Sequence, residues 1–246
     1  MPEQSARAKE KLVHASSIAN SLRTRHLAAM SEPRCQLYLI TPPVIEDMDT
    51  FLVQLEAALT AAPVACLQIR LKGPNNSQME DSDLVQTAKP ICEVAQRHEV
   101  AVILNDRPDL VDAVGADGVH VGQEDMDYLS SRELLGGDAI IGVTCHNSKQ
   151  LAFDAASAGA DYVAFGAFFE TPTKTPKTRA DVEILTWWQE AMETPVVAIG
   201  GINPDNAKAV IEAGADFIAV SSAVWSHPAG PATSVQQLYS LCAQHS

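Results

Sequence analysis

The sequence predicts the α/β class, as a single (β/α)8 barrel behind an N-terminal extension. Three observations carry this. Eight short apolar runs alternate with longer stretches at helical spacing over about 210 residues. Those runs are almost continuously apolar, as expected for an all-parallel sheet covered by helices. A Gly-Ala-Asp triplet recurs at 115–117, 159–161 and 214–216, each time between a helical stretch and an apolar run. Glycine suits the left-handed end of a helix, so the triplet marks a repeated unit. A doubly wound open sheet would carry a GxGxxG turn after its first strand, and none stands there.

Residues 1–34 form the extension. They carry Arg7, Lys9, Lys11, Arg23, Arg25 and Arg34, with Leu12, Ile18, Leu22 and Leu27 as one weak helical stripe. The readings are an appended helix, a mobile tail or a mitochondrial transit peptide, against which Glu3 and Glu10 count. The barrel occupies residues 35–246. Its predicted strands are 36–40, 66–70, 100–104, 118–121, 139–143, 161–165, 195–199 and 217–220. Each is four to six residues long, which suits strands better than helices. Helices are predicted over 51–61, 84–98, 148–158 and 203–213. In the first, Phe51, Leu52, Leu55, Ala58 and Leu59 share a face. Asn147 and Asn203 are the expected N-caps, with Pro204 in a first turn.

Composition bounds the function. The 246 residues hold 17 Lys+Arg against 31 Asp+Glu, a net charge of −14. That balance argues against nucleic acid as a partner, which needs a basic face, but allows a small basic pocket. Five widely spaced cysteines with no CxxC pair argue against a zinc site or disulfide framework and favour a reducing cytoplasm. No apolar run approaches the ~20 residues of a membrane span, and no signal peptide is evident. Oligomeric state is left open.

In such a barrel the chemistry sits where the strands end. Strand two ends in Gln68-Ile69-Arg70-Leu71-Lys72. Alternation puts Gln68, Arg70 and Lys72 on one side, and Arg with Lys suits a phosphate. An ion pair with barrel carboxylates is the alternative. Asn105-Asp106 and Asp125 end strands three and four. Two hard carboxylates beside an anion site suit Mg²⁺, while helix capping is the competing role. Thr144 is a candidate hydroxyl donor at strand five. Cys145 and His146 point to opposite faces there, which argues against a thiol-imidazole dyad. After strand six, Thr171, Thr173 and Lys174 read as an oxyanion cradle or a mobile loop. Gly200-Gly201 and Val220-Ser221-Ser222 end the last two strands, where backbone N–H groups and a helix start form phosphate sites.

Together these blocks resemble the thiamine phosphate synthase family. Gln68-x-Arg70-x-Lys72, Asn105-Asp106-Arg107, the run from Ala116 to Asp125, Thr171-x-Thr173-Lys174 and Ala198-Ile199-Gly200-Gly201-Ile202 match its motifs in order. The resemblance implies condensation of 4-amino-2-methyl-5-hydroxymethylpyrimidine diphosphate with a thiazole phosphate, giving thiamine phosphate and pyrophosphate. It implies that Arg70, Lys72, Asn105 and Lys174 hold the diphosphate, with Gln68 near the pyrimidine. Asp106 and Asp125 would carry Mg²⁺. Thr171, Thr173, Gly201, Val220 and Ser221 would hold the thiazole phosphate. The implied mechanism is dissociative: pyrophosphate leaves, and the thiazole nitrogen captures a pyrimidine carbocation. Departures are Thr144 for a usual Ser, Leu71 for a frequent Glu, and Ala167 and Glu170 in the loop before Thr171. A thiazole tautomerase using His146 and a non-catalytic paralogue are the competing relatives; neither needs the diphosphate clamp.

Overall fold

The computed structural model describes residues 33–170 and 178–245. The expected extension falls almost wholly outside them. Eight strands form a closed barrel in sequence order: β1 (Gln36–Ile40), β2 (Cys66–Ile69), β3 (Ala101–Asn105), β4 (Gly118–Val121), β5 (Ile140–His146), β6 (Tyr162–Gly166), β7 (Val196–Ile199) and β8 (Phe217–Val220). All pairs are parallel, and β8 closes on β1 with Gln36 opposite Phe217. The helices are α1 (Met48–Ala61), α2 (Asp81–Arg97), α3 (Val111–Val114), α4 (Tyr128–Leu135), α5 (Lys149–Ala158), α6 (Glu183–Ala191), α7 (Ala207–Glu212), α8 (Ser222–Trp225) and α9 (Pro231–His245).

The strand expectations hold in number, order and direction. Two ends differ. β2 stops at Ile69, so Arg70 and Lys72 lie just beyond it. β5 runs on through Thr144 to His146, with a register irregularity between those two against β6. Polar residues that read as a loop still pair, because the neighbouring strand supplies their hydrogen bonds.

Both expected N-caps are corrected. Ser148 caps α5, its Oγ accepting from Leu151 N at 3.2 Å, while Asn147 Nδ2 donates to the Arg179 carbonyl. Asn203 does not cap a helix at 204. Its Oδ1 accepts from Asp205 N, and Asn206 Oδ1 accepts from Asn203 N. These local bonds make a turn around Pro204 and delay α7 to Ala207.

Period-two alternation sorts the strand residues into two packing zones. Leu37, Leu39, Leu67, Ile69, Val102, Leu104, Ile141 and Val163 face outward into the layer shared with the helices. Tyr38, Ile40, Cys66, Ile103, Tyr162, Val197 and Phe217 fill the barrel interior. Gly142 belongs to the inner set, and a methyl group there would overlap the Tyr162 ring. Glycine at 142 therefore makes room for that tyrosine inside the barrel.

The Gly-Ala-Asp repeat has a shared structural job. Its three aspartates each accept the backbone N–H at or near the start of the preceding strand. Asp117 Oδ2 accepts from Val102, Asp161 Oδ2 from Ile141 and Asp216 Oδ2 from Val196, at 2.8, 2.9 and 2.8 Å. A side chain from the helix that leads into that preceding strand reaches each one: Gln96 of α2 at 3.4 Å, Arg132 of α4 at 2.6 Å and Gln189 of α6 at 3.0 Å. The triplet ties β4, β6 and β8 each to the strand before it at the barrel floor, opposite the mouth where the site residues gather.

Candidate active site

Gln68, Arg70 and Lys72 emerge on the inner side of the barrel, while Ile69 and Leu71 are buried in the outer layer. Gln68 is buried, and its Nε2 donates to Asn105 Oδ1 at 3.0 Å. The Arg70 backbone N–H donates to Thr41 Oγ1 at 2.9 Å, which fixes the start of the loop. The Arg70 guanidinium has no salt-bridge partner among the described residues. Burial pulls its pKa down, and the more distant Asp106 charge opposes that. Lys72 does pair: its Nζ lies 2.9 Å from Asp106 Oδ2. The ion-pair alternative thus applies to the lysine and not to the arginine.

Asp106 adopts φ 66°, uncommon for any residue but glycine, and its N–H donates to the His120 carbonyl at 2.9 Å. Asp is among the residues that tolerate this left-handed conformation. The turn aims its carboxylate at Lys72. Asp125 comes back from the loop after β4, its Oδ2 accepting from Gly122 N at 2.7 Å. Burial first, and then the neighbouring Asp106 carboxylate, push the Asp125 pKa up. Two carboxylates close enough to perturb one another are a natural cation pair. No group of three or more His, Cys, Asp or Glu suited to a metal exists among the described residues. A two-carboxylate set fits Mg²⁺, which takes one or two carboxylates and completes its octahedron with water and phosphate oxygens.

A second group of site residues stands at the ends of β7 and β8. Gly201 has φ 67°, and its carbonyl accepts from Asn206 Nδ2 at 3.0 Å. Ser221 Oγ donates to the Thr41 carbonyl at 3.3 Å and opens α8. Among the described residues, the backbone N–H groups of Gly201, Ser221 and Ser222 have no acceptor. Backbone N–H groups left without an acceptor at a helix start or a glycine turn suit a phosphate. Val220 can offer only its main chain, because its side chain is 2% exposed in the outer layer. Thr171, Thr173 and Lys174 lie outside the described residues. The stem before them is anchored: Phe169 N donates to the Gly200 carbonyl at 2.9 Å.

Thr144 is on the inner face of β5, its Oγ1 2.7 Å from His120 Nε2. His120 Nδ1 lies 3.0 Å from the Tyr162 hydroxyl, which lies 2.8 Å from that of Tyr38. Burial pulls the His120 pKa down to about 4, so the imidazole is neutral at ordinary pH. This inner polar chain escaped the sequence reading. The available signal was alternation in Gly118-Val119-His120-Val121, which turns His120 inward beside Asn105. Cys145 is fully buried in the outer layer, and burial pushes its thiol up to about 12. That disposes of a thiol nucleophile.

Comparison with known proteins identifies the family. The family model described as thiamine monophosphate synthase matches residues 37–224. A thiamine-phosphate synthase of Rhodospirillum centenum is 56% identical over 201 residues, covering 82% of this chain and 94% of that one. One from Hyphomonas neptunium is 49% identical over 214 residues, 87% and 96% of the two chains. The solved thiamine phosphate pyrophosphorylase of Pyrococcus furiosus superposes with a TM-score of 0.73 at 29% identity, covering 86% of this chain and 97% of that one. The 3-hexulose-6-phosphate synthase of Salmonella typhimurium, at 19% identity and a TM-score of 0.62, shares the fold alone. With its motifs on the strand ends of one barrel mouth, the chain belongs to the thiamine monophosphate synthase family.

Proposed function

We propose that the chain condenses 4-amino-2-methyl-5-hydroxymethylpyrimidine diphosphate with a thiazole phosphate, releasing pyrophosphate and thiamine phosphate. One observation carries the reading: Arg70 and Lys72 after β2, and the backbone N–H groups of Gly201, Ser221 and Ser222 after β7 and β8, stand as two separate groups at the strand ends, and each suits an anion. The site at β2 and β3 sets Arg70 and Lys72 beside the Asp106 carboxylate, as a diphosphate with a divalent metal requires. The site at β7 and β8 offers mainly backbone N–H groups, enough for a single phosphate.

The chemistry needs a charge clamp more than a nucleophile. As the bond between the pyrimidine methylene carbon and the diphosphate oxygen breaks, negative charge grows on the leaving group. Arg70 and Lys72, with Lys174 from the loop, are the cations to receive it. Asn105 would bind the same group, and its bond from Gln68 fixes its amide so that Nδ2 faces outward as a donor. Thr144 adds a hydroxyl beside the pyrimidine position. Gly201 and Ser221, with Thr171 and Thr173, would hold the thiazole phosphate so that its ring nitrogen meets the carbocation. Asp106 and Asp125 would hold Mg²⁺, which when bound neutralises diphosphate charge.

The partners are small phosphorylated molecules. The acidic surface disfavours nucleic acid, and no helix among the described residues is long and apolar enough to cross a membrane. We assign the protein to the cytoplasm on its five widely spaced cysteines, odd in number and with no CxxC pair. A mixed-substrate assay with and without Mg²⁺ tests the whole reading. Pyrophosphate and thiamine phosphate should appear in equal amounts, only with both substrates present. Absence of product with Mg²⁺ and both substrates would sink it.

A further inference from the structure

The inner polar chain has a direction, and that direction decides what Thr144 can do. Four side chains are linked in series from the mouth inward: Thr144, His120, Tyr162 and Tyr38. Cys66, buried within the barrel, is the β2 neighbour of Tyr38 at the inner end. His120 is 7% exposed, and its two ring nitrogens face hydroxyls rather than carboxylates. A neutral imidazole has one N–H and one lone pair, so the chain has two ways to run.

In one, Nδ1–H donates to Tyr162, Tyr162 donates to Tyr38, and among the described residues the Tyr38 O–H has no oxygen or nitrogen left to donate to, only the neighbouring Cys66 sulfur. A thiol is a weak acceptor, so a strong buried donor would be poorly satisfied. Thr144 would then spend its proton on Nε2 and present only lone pairs to the mouth. In the other, Tyr38 donates to Tyr162 and Tyr162 donates to Nδ1, so no buried O–H is left without an oxygen or nitrogen acceptor. A phenol donating to an imidazole nitrogen is the best match in the chain. Nε2–H then donates to Thr144 Oγ1, which frees the threonine proton.

We infer that Tyr162 is a positioning residue that holds His120 as the Nε2–H tautomer, making Thr144 a hydrogen-bond donor toward the barrel mouth. The group it serves is an acceptor oxygen or nitrogen of the substrate bound beside Arg70. Gly142 belongs to the same device, because only glycine leaves space for the Tyr162 ring at that level. The catalytic part of this inference rests on the proposed condensation; the tautomer does not.

The test has two arms that separate these. In the first, the protein is labelled with ¹⁵N-histidine and its ring nitrogens are read by NMR at neutral pH, with His120→Gln identifying the signals. The wild type should show His120 protonated at Nε2 and bare at Nδ1, and Tyr162→Phe should shift the Nδ1 signal. A proton on Nδ1 in the wild type overturns the inference, whatever the protein's activity. In the second, Tyr162→Phe, which keeps the ring and removes only the hydroxyl, should lower kcat about tenfold with both KM values within twofold. The same change made in a Thr144→Ala background should add nothing further, which a general loss of packing would not reproduce. An unchanged kcat in Tyr162→Phe, or equal losses in both backgrounds, would overturn the inference while leaving the condensation standing. A wild type with no turnover would remove the condensation and leave the tautomer to the NMR arm.

Discussion

Lys72 Nζ donates to Asp106 Oδ2 across 2.9 Å, joining the ends of two neighbouring strands. A cation assigned to the diphosphate and a carboxylate assigned to the metal thereby neutralise one another. Diphosphate and Mg²⁺ arriving together would give each a new partner of opposite charge. Either alone would leave one of them uncompensated, so the two ligands should bind more tightly together than separately.

The metal assignment rests on the carboxylates. Asp106→Ala or Asp125→Ala should cost at least about tenfold in turnover, roughly 1.4 kcal/mol of transition-state stabilisation. Steady-state rates with titrated Mg²⁺ measure this. Unchanged activity in both variants, or full activity in excess chelator, removes the metal from the site.

The lysines separate a synthase from a tautomerase. Lys72→Met and Lys174→Met keep much of the apolar bulk and remove the cation. Both should lower kcat as well as diphosphate affinity, because the contact strengthens as the leaving group departs. His146→Gln should retain turnover. Isomerisation of a thiazole phosphate without any pyrimidine substrate, abolished only in His146→Gln, would overturn the synthase reading.

Ser221 is the better probe of the thiazole-phosphate site. Any side chain at Gly201 would strike the Phe169–Glu170 backbone and strain a φ of 67°, so that substitution disturbs the loop as well as the phosphate. Ser221→Ala should raise the thiazole-phosphate KM severalfold and leave the diphosphate KM within twofold. Equal changes in both constants would argue against separate pockets.

His120 gives the barrel a pH dependence of known sign. Its pKa falls from 6.5 unfolded to about 4 folded, through burial. The unfolded chain therefore binds the extra proton first, and stability is lost as pH drops below 6.5. Roughly 2 kcal/mol should go by pH 5 from this group. Urea unfolding at pH 7 and pH 5 measures it, and the loss should shrink in His120→Gln. An equal loss in that variant would assign the effect elsewhere.

Asp161 should matter to stability and not to kinetics. Its side chain is buried at the barrel floor, accepting from Ile141 N and paired with Arg132 at 2.6 Å. Asp161→Ala strands both donors and should cost about 3 kcal/mol. The KM values of the folded variant should stay within twofold. A changed KM with unchanged unfolding would contradict the separation of floor from mouth.

The sequence by itself determined the barrel. Continuous apolar strands such as Val100–Leu104, and the Gly-Ala-Asp punctuation, depend only on local periodicity and on backbone conformations that glycine allows. Strand-end chemistry was legible for the same reason: alternation alone puts Gln68, Arg70 and Lys72 on one side. Tertiary structure decided what local rules do not reach. It showed that Lys72 pairs with Asp106 while Arg70 does not, because residues 34 positions apart meet only when β2 and β3 are laid side by side. It moved both helix caps, where neighbouring side chains compete for the same N–H groups. It also assembled Thr144, His120, Tyr162 and Tyr38 from four strands into one chain, each looking like an isolated polar residue in its own run. Buried polar groups must find partners, and in a closed barrel those partners come from across the interior, at distances along the chain that no periodicity records.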